Sequence, residues 1–305
     1  MTWITEPFAA DFMQRALLGG ILVATICAVV GTWVVIRGMA FLGEAMAHGM
    51  LPGVAAASLI GAPVILGAAV SAVVMSLGVS LISRRGRLSQ DTSIGLLFVG
   101  MLSLGVIIVS HSRSFAVDLT AILFGDVLAI SSSDLTMLTT ALVTTLVVTA
   151  LFHRSFVALA FDPRIATTMG LRPRLAHVAL VGLVTLAVVA SYGAVGSLLV
   201  VGLLLAPAVA AGHWARRIPG IMLIATAFGT AAVLLGLLLS WYAATAAGAS
   251  IAIVAIALAV LSTLASAATR LVAGRRSPAP SAASLPAASP ISAPAPQQKA
   301  CSVPN

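Results

Sequence analysis

The sequence predicts an all-α polytopic membrane protein with about eight or nine transmembrane helices. Of its 305 residues, 60% are hydrophobic and only 8% are charged, whereas a soluble domain carries roughly 25% charged residues. The apolar residues form runs of about 20, the length of a helix that crosses a bilayer. A membrane β-barrel is excluded, because its strands alternate apolar and polar residues.

The charges indicate membrane orientation and argue against a nucleic-acid partner. The net charge is +8, and Lys299 is the only lysine. The arginines lie at the ends of apolar runs, where positive residues mark cytoplasmic loops. Cys27 and Cys301 imply neither a disulfide framework nor a metal cluster. The N-terminus lacks the basic region of a cleavable signal peptide, so we expect the first span to act as its own insertion signal.

Composition divides the chain into three parts. Residues 1–13 are a polar and aromatic lead, and residues 14–270 form the membrane domain. Residues 271–305 are rich in Pro, Ala and Ser and cannot bury a core, so this tail is expected to be disordered and cytoplasmic.

Nine apolar segments are predicted within the membrane domain. They lie at about 14–36, 39–60, 63–83, 92–110, 134–152, 175–192, 194–213, 218–240 and 249–269. The basic clusters between them place the C-terminus in the cytoplasm and, with nine spans, the N-terminus outside. In an eight-span alternative, the second segment is only partly inserted.

Two connections are long. Residues 111–133 are too short and mixed for a span, and are predicted to be a loop with a short re-entrant or interfacial helix. Residues 153–174 are polar and basic, which predicts a cytoplasmic loop. A short helix is expected to begin there at Asp162, with Pro163 at its first position.

The second apolar segment holds the candidate site. Glu44 and His48 lie four residues apart between Arg37 and Gly53, so on a helix their side chains share one face. Such groups are costly in apolar surroundings and usually mark a transport path. Carboxylate oxygen and imidazole nitrogen both suit Zn²⁺ and Mn²⁺. The alternative is a Glu–His hydrogen bond that only fixes helix packing.

The other acids and histidines are predicted to have structural roles. Helix caps or loop positions are expected for four acids, and positions at the ends of spans for four histidines. The acids are Asp91, Asp118, Asp126 and Asp134, and the histidines are His111, His153, His177 and His213.

Catalysis by this chain is not expected. A Walker A loop needs a lysine after its glycines to hold the nucleotide phosphates, and Lys299 lies in the tail. No Ser-His-Asp order, zinc-protease pattern or CxxC motif is present. If transport is driven by ATP, a separate chain must hydrolyse it.

Six stretches in order resemble the permease subunits of zinc, manganese and iron ABC importers, the ABC-3 group. The resemblance covers roughly residues 10–270. Its parts are Gly38–His48 with Leu51–Gly53, Asp91–Phe98, Leu123–Asp126, a loop with Asp162, Ala166 and Gly170, Val195–Ala208, and Gly248–Ile253.

The resemblance implies a permease domain of the type II importer class in a bacterial plasma membrane. It implies a homodimeric or paired channel that works by alternating access with two cytoplasmic ATPase subunits. An extracytoplasmic metal-binding protein would deliver Zn²⁺ or Mn²⁺ as substrate, ATP would bind the partner subunits, and no cofactor would be held permanently. Glu44 and His48 would then be metal ligands, and two chains would supply four.

The resemblance also implies a coupling helix, seated in a groove of the ATPase, within residues about 155–174. The residues assigned to coupling are Phe161, Asp162, Pro163, Arg164, Ala166 and Gly170. This chain departs from its relatives at Arg164, where they usually carry an acid, and at Glu44, where they commonly carry Asp.

The rival interpretation is an autonomous secondary transporter that uses Glu44 and His48 as a proton or cation relay. Uptake into vesicles that contain this chain alone distinguishes the two. A membrane-embedded enzyme would need more polar residues within the spans than this chain has. The choice between zinc and manganese stays open, because both ions accept the same two ligand types.

Overall fold

The computed structural model describes residues 6–84, 90–110, 125–161 and 173–276, and every regular element in these ranges is helical. Two 3-10 turns, Pro7–Ala9 and Val127–Ala129, accompany the α-helices. The helices are α1 (Asp11–Ile36), α2 (Ala40–Gly49), α3 (Leu51–Leu59), α4 (Val64–Arg84), α5 (Gln90–Ser110), α6 (Ser132–Phe161), α7 (Pro173–Val195), α8 (Ser197–Gly212), α9 (Ile218–Ala243) and α10 (Ala247–Arg276). The predicted all-α class is confirmed.

Seven of these helices are long and apolar enough to cross a bilayer: α1, α4, α5, α6, α7, α9 and α10. The shorter α8 is also apolar. With the α2–α3 pair, the described part of the chain contains nine apolar segments, at the predicted positions. The chain divides into two units between Ser266 and Ala267, and the described part of the second unit is helical as far as Arg276.

Helix α1 lies at the centre of the larger unit. In its most apolar stretch 72% of the residues are buried, against 17% in α5. Helices α6, α7, α8 and α9 all pack against α1. Small residues permit this close packing in a membrane: a Cβ added to Gly31 would meet the Leu204 carbonyl oxygen of α8.

Contacts with α1 fix the directions of its neighbours. Cys27 lies beside Val200, and Gly31 lies beside Leu204, so α8 runs parallel to α1. Gly20 faces Val233 and Ala24 faces Gly229, so α9 runs antiparallel to α1. This alternation is the arrangement expected of successive membrane spans.

The second apolar segment is one helical unit with a break at Met50. Pro52 lacks the N–H that would continue the helix by donating to the His48 carbonyl four residues earlier. The Met50 N–H donates to that carbonyl instead. The Val54 N–H donates to the Met50 carbonyl at 3.0 Å, so helical bonding resumes at once. From Ala40 to Leu59, α2 and α3 with Met50 between them cover 20 residues, or about 30 Å, enough to cross the hydrocarbon core.

The predicted loop at 153–174 is corrected over its first nine residues, because α6 continues to Phe161. The polar residues His153 and Arg154 predicted the end of the span. The helix continues beyond them because its side chains pack in the buried interior. The Trp33 ring of α1 contacts His153 at 5.6 Å and Phe156 at 5.2 Å between ring centroids. Phe156 is fully buried. The remainder of this connection lies outside the described residues.

Helices α7 and α8 are separated by a single glycine. Gly196 has φ +75°, a left-handed conformation that L side chains rarely adopt. A Cβ added to Gly125 would meet the backbone of Val195 and Gly196. Two sequence stretches that lie far apart in the chain, one ending at Asp126 and one beginning at Val195, therefore meet at this break.

Candidate metal site

Helix α2 presents Glu44 and His48 on one face, as their spacing predicts. His48 Nε2 lies 2.8 Å from Glu44 Oε1, a hydrogen-bond distance. The His48 side chain is 19% exposed and the Glu44 side chain 32%. The pair is therefore half-buried, with the carboxylate more accessible than the imidazole.

An aromatic ring from α5 supports the imidazole. The His48 ring contacts Phe98 edge-on at 5.8 Å, and Phe41 contacts the same Phe98 ring at 5.4 Å. These contacts restrict the rotation of the imidazole and keep its Nε2 atom directed at Glu44. Phe98 belongs to the stretch Asp91–Phe98, which the sequence comparison singled out without a role for its last residue.

Glu44 forms part of the wall of an apolar groove of about 590 Å³. The groove is lined mainly by residues of α8 and α10, among them Gly202, Ala206, Gly248 and Ala252. Of the described residues that line it, Glu44 alone is charged. A carboxylate in such a wall is expensive to maintain unless an ion or a hydrogen-bond partner compensates for the lost hydration.

Close packing against α8 fixes the position of α2 beside the groove. A Cβ added to Gly43 would lie 2.5 Å from Leu204 Cδ2. Glycine at this position lets α2 approach α8 closely, which brings the neighbouring Glu44 to the α8 wall. The contact between Gly43 and Leu204 therefore fixes both the position of α2 and the place of Glu44 in the groove wall.

Helix α4 stabilises the helix break that follows His48. The Ser71 hydroxyl donates to the Gly49 carbonyl at 2.7 Å in a buried position. This bond joins α4 to the backbone three residues before Pro52. Ser71 is therefore a positioning residue, and no local sequence pattern could have identified it.

The described part of the chain places two candidate metal ligands together. Within the described ranges, no group of three or more His, Cys, Asp or Glu side chains is placed to hold a metal ion. Glu44 and His48 are thus a pair without a third such ligand from the described part of their own chain.

Two of the acids predicted to be caps, Asp126 and Asp134, accept hydrogen bonds at the start of a helical turn. Asp126 accepts a hydrogen bond from the Leu128 N–H at 3.3 Å and caps the turn Val127–Ala129. Asp134 accepts from the Ser131 N–H at 2.9 Å. Asp91 lies in the first turn of α5. Asp118 lies outside the described residues.

The histidines are separate from the Glu44 pair. His213 ends α8 and is exposed, with Nδ1 3.0 Å from the Val209 carbonyl oxygen. His153 packs on Trp33. His177 lies in the first turns of α7, and its Nε2 atom is buried without a hydrogen-bond partner. His111 lies outside the described residues.

The residues assigned to coupling begin at the end of α6. Helix α6 ends at Phe161, whose side chain is outside the described part. Asp162, Pro163, Arg164, Ala166 and Gly170 also lie outside the described residues.

Comparisons with known proteins identify the relatives of this chain. The manganese transport system membrane protein MntC of Halalkalibacterium halodurans is 36% identical over 245 residues, covering 80% of this chain and 84% of the relative. The chelated iron transport system membrane protein YfeD of Yersinia pestis is 34% identical over 251 residues, covering 82% and 84%.

The fold also matches a solved structure. PsaBC from Streptococcus pneumoniae, in complex with Fab, superposes with a TM-score of 0.75 at 30% identity. The match covers 85% of this chain and 94% of the other. Residues 9–266 match the ABC 3 transport family, nearly all of the membrane domain. This chain therefore belongs to the ABC 3 transport family, as its six ordered sequence stretches predicted.

Proposed function

We propose that this chain is the membrane permease of an ATP-binding cassette importer for a divalent transition metal, zinc or manganese. The observation that carries the proposal is Glu44, hydrogen-bonded to His48 and the only charged group among the described residues of an apolar groove wall. Family membership supports it. The relatives cited above are named for the transport of manganese and of chelated iron.

The Glu44–His48 pair can receive an ion by exchange of ligands. Its two donor atoms lie 2.8 Å apart, close enough for one ion to contact both at about 2.0–2.2 Å. A cation can bind Nε2 only when that nitrogen carries no proton, so on entry the proton of the hydrogen bond would move to Nδ1 or to water. On departure of the cation, Nε2 would take up a proton again and the hydrogen bond to Glu44 would re-form.

A second copy of the chain is proposed to complete the site. The groove wall that contains Glu44 includes several small residues, among them Gly202 and Gly248. Small side chains allow close approach of helices in lipid, where packing drives association. A partner copy seated on this face would bring a second Glu44–His48 pair and raise the number of ligands to four. Each Glu44–His48 pair alone would bind the ion weakly, which suits a transport pathway that must release its ion.

Energy is proposed to come from separate ATPase subunits on the cytoplasmic side. The chain has no lysine before Lys299 and so cannot form a Walker A loop in its membrane domain. The connection between α6 and α7 is the proposed coupling segment, from Phe161 to Gly170. An extracytoplasmic metal-binding protein would load the opposite side. This orientation puts the C-terminus in the cytoplasm of a bacterial cell.

Reconstitution with and without the ATPase tests this function. Vesicles that contain the chain together with its ATPase subunits and ATP are expected to accumulate Zn²⁺ or Mn²⁺, and vesicles with the chain alone are not. The ATPase must be stimulated by the permease for the coupling assignment to hold. Uptake driven by an imposed proton gradient, without ATPase or ATP, would support the secondary transporter instead.

A further inference from the structure

A second groove lies between α4 and α7, away from the Glu44 pair. Its volume is about 460 Å³. On α4 it extends from Ala69 to Leu81, and on α7 from Val178 to Val189. At 1.5 Å per residue these stretches are about 16–18 Å long, close to half the thickness of the hydrocarbon core. The groove therefore has the length of one leaflet.

The described wall of this second groove is uncharged. Ser76 Oγ and Thr185 Oγ1 lie 2.6 Å apart. Each also lies within hydrogen-bond distance of a carbonyl oxygen one turn earlier in its own helix, at 2.8 and 2.9 Å. These hydroxyls are therefore satisfied, and the remaining wall residues except Ser80 are apolar. Such a surface favours a hydrocarbon chain and offers no ligand for a metal ion.

The end of α4 and the start of α7 lie at the same side of the bundle. Arg37, between α1 and α2, interacts electrostatically with His177 near the start of α7. Helix α4 runs antiparallel to the α2–α3 pair, because Gly49 faces Met75 and Gly53 faces Gly67. The end of α4 therefore returns to the side where α2 begins, which is the side of Arg37.

A positive charge lies at this end of the groove. Arg174 is exposed and lies four residues before Val178, so it continues the groove face of α7 toward the helix start. The described acid at this end is Asp91, in the first turn of α5. Positive charge at the mouth of a leaflet-long apolar groove is complementary to a lipid with an anionic headgroup.

We propose that the groove between α4 and α7 binds an acyl chain of an anionic phospholipid, with its phosphate at Arg174. The acyl chain lies along the apolar wall from Leu81 and Val178 inward. The site is independent of the transported ion, because none of its residues belongs to the Glu44 pair.

Lipid retention by the full-length chain in detergent tests this site. Native mass spectrometry would compare phosphatidylglycerol, which is anionic, with phosphatidylcholine, which has no net charge. We expect retention of phosphatidylglycerol to be about fivefold higher, the factor for one arginine near a charged headgroup. Equal retention of the two lipids would overturn the proposal. Displacement of phosphatidylglycerol and phosphatidylcholine to the same extent by added inorganic phosphate would also overturn it.

Two variants locate the site, each with a matched control. A Cβ at Gly182 meets no atom within 4 Å, so Gly182→Leu adds an apolar side chain to an open part of the groove and should abolish the preference. Gly100→Leu, on the open face of α5, also meets no atom within 4 Å and should retain it. Unchanged retention in Gly182→Leu would exclude this groove.

Arg174→Gln should reduce phosphatidylglycerol retention to the level of phosphatidylcholine. Arg154→Gln removes the same charge from an exposed position on α6 and should leave retention unchanged. A loss of equal size in both variants would show a diffuse charge effect and contradict a site at Arg174. A thermal melting curve for each variant verifies that it is folded.

Discussion

The two grooves of this permease are similar in size and in apolar character, and differ in one group. The groove between α8 and α10 has about 590 Å³ and includes the Glu44 carboxylate in its wall. The groove between α4 and α7 has about 460 Å³ and includes a pair of hydroxyls, Ser76 and Thr185. Apolar grooves alone are ordinary between membrane helices. A charge placed in one of them is costly and therefore indicates function.

The difference extends to how each polar group is held. Glu44 depends on His48, which is in turn held by Phe98. Ser76 and Thr185 lie within hydrogen-bond distance of carbonyl oxygens of their own helices. The first arrangement can exchange a proton for a cation, and the second can only fasten two helices. The predictions below test this contrast, from the largest expected effect to the smallest.

Removal of either member of the charged pair should have the largest effect. Glu44→Ala and His48→Ala are each expected to lower metal uptake by at least about 10-fold, since even outer-shell partners of metal ligands contribute about 10- to 100-fold. Uptake by reconstituted vesicles with the ATPase measures this. The control is Glu6→Ala, an acid outside the bundle core. Wild-type uptake in both site variants would leave the pair with a packing role only.

Filling the groove beside Glu44 should have the next largest effect. Gly202→Leu would occupy the space that a second copy is proposed to enter. Overpacking costs about 1–3 kcal/mol, so the fraction of dimer and metal uptake should fall by about tenfold. Chemical crosslinking in membranes measures the dimer, and Gly100→Leu is the matched control. If the dimer fraction of Gly202→Leu equals that of Gly100→Leu, the dimer interface must lie on another face of the chain.

Loss of the support at the helix break should be smaller. Ser71→Ala removes the hydrogen bond to the Gly49 carbonyl and should lower the free energy of unfolding by about 1 kcal/mol. Chemical denaturation in detergent measures it. Ser58→Ala removes only a bond within α3, to the Ala55 carbonyl, and should have less effect. A larger loss in Ser58→Ala would contradict the role given to Ser71.

Removal of the neutral hydroxyl pair should have the smallest effect. Replacing Ser76 by Ala and Thr185 by Val together should lower the free energy of unfolding by about 0.6 kcal/mol, the average for such bonds between membrane helices. Metal uptake should remain at the wild-type level. A loss of uptake comparable to that of Glu44→Ala would abolish the distinction between the two grooves.

The sequence was sufficient to predict the elements whose signals are local. The apolar runs predicted nine segments, and the four-residue spacing predicted that Glu44 and His48 would share a face. Pro52 marked the interruption of the second segment. Each of these follows from residues within one or two turns of each other, where composition and helical period determine the outcome.

Contacts between distant segments were not predictable in this way. The end of α6 was misplaced because His153 and Arg154 are polar, whereas the helix continues through packing of Phe156 on Trp33. Ser71 acts on Gly49, a residue of a different helix. The wall around Glu44 is formed by α8 and α10, more than 150 residues later in the chain. No periodic pattern within a helix encodes such pairings.

The number of metal ions bound by each dimer tests the central claim most directly. Titration of the chain in lipid nanodiscs with Mn²⁺, followed by electron paramagnetic resonance, counts bound ions. Two half-sites that share one ion predict one Mn²⁺ for every two chains, and loss of this binding in Glu44→Gln but not in Glu6→Gln. One Mn²⁺ per chain, or unchanged binding in Glu44→Gln, would contradict a shared site built from Glu44 and His48.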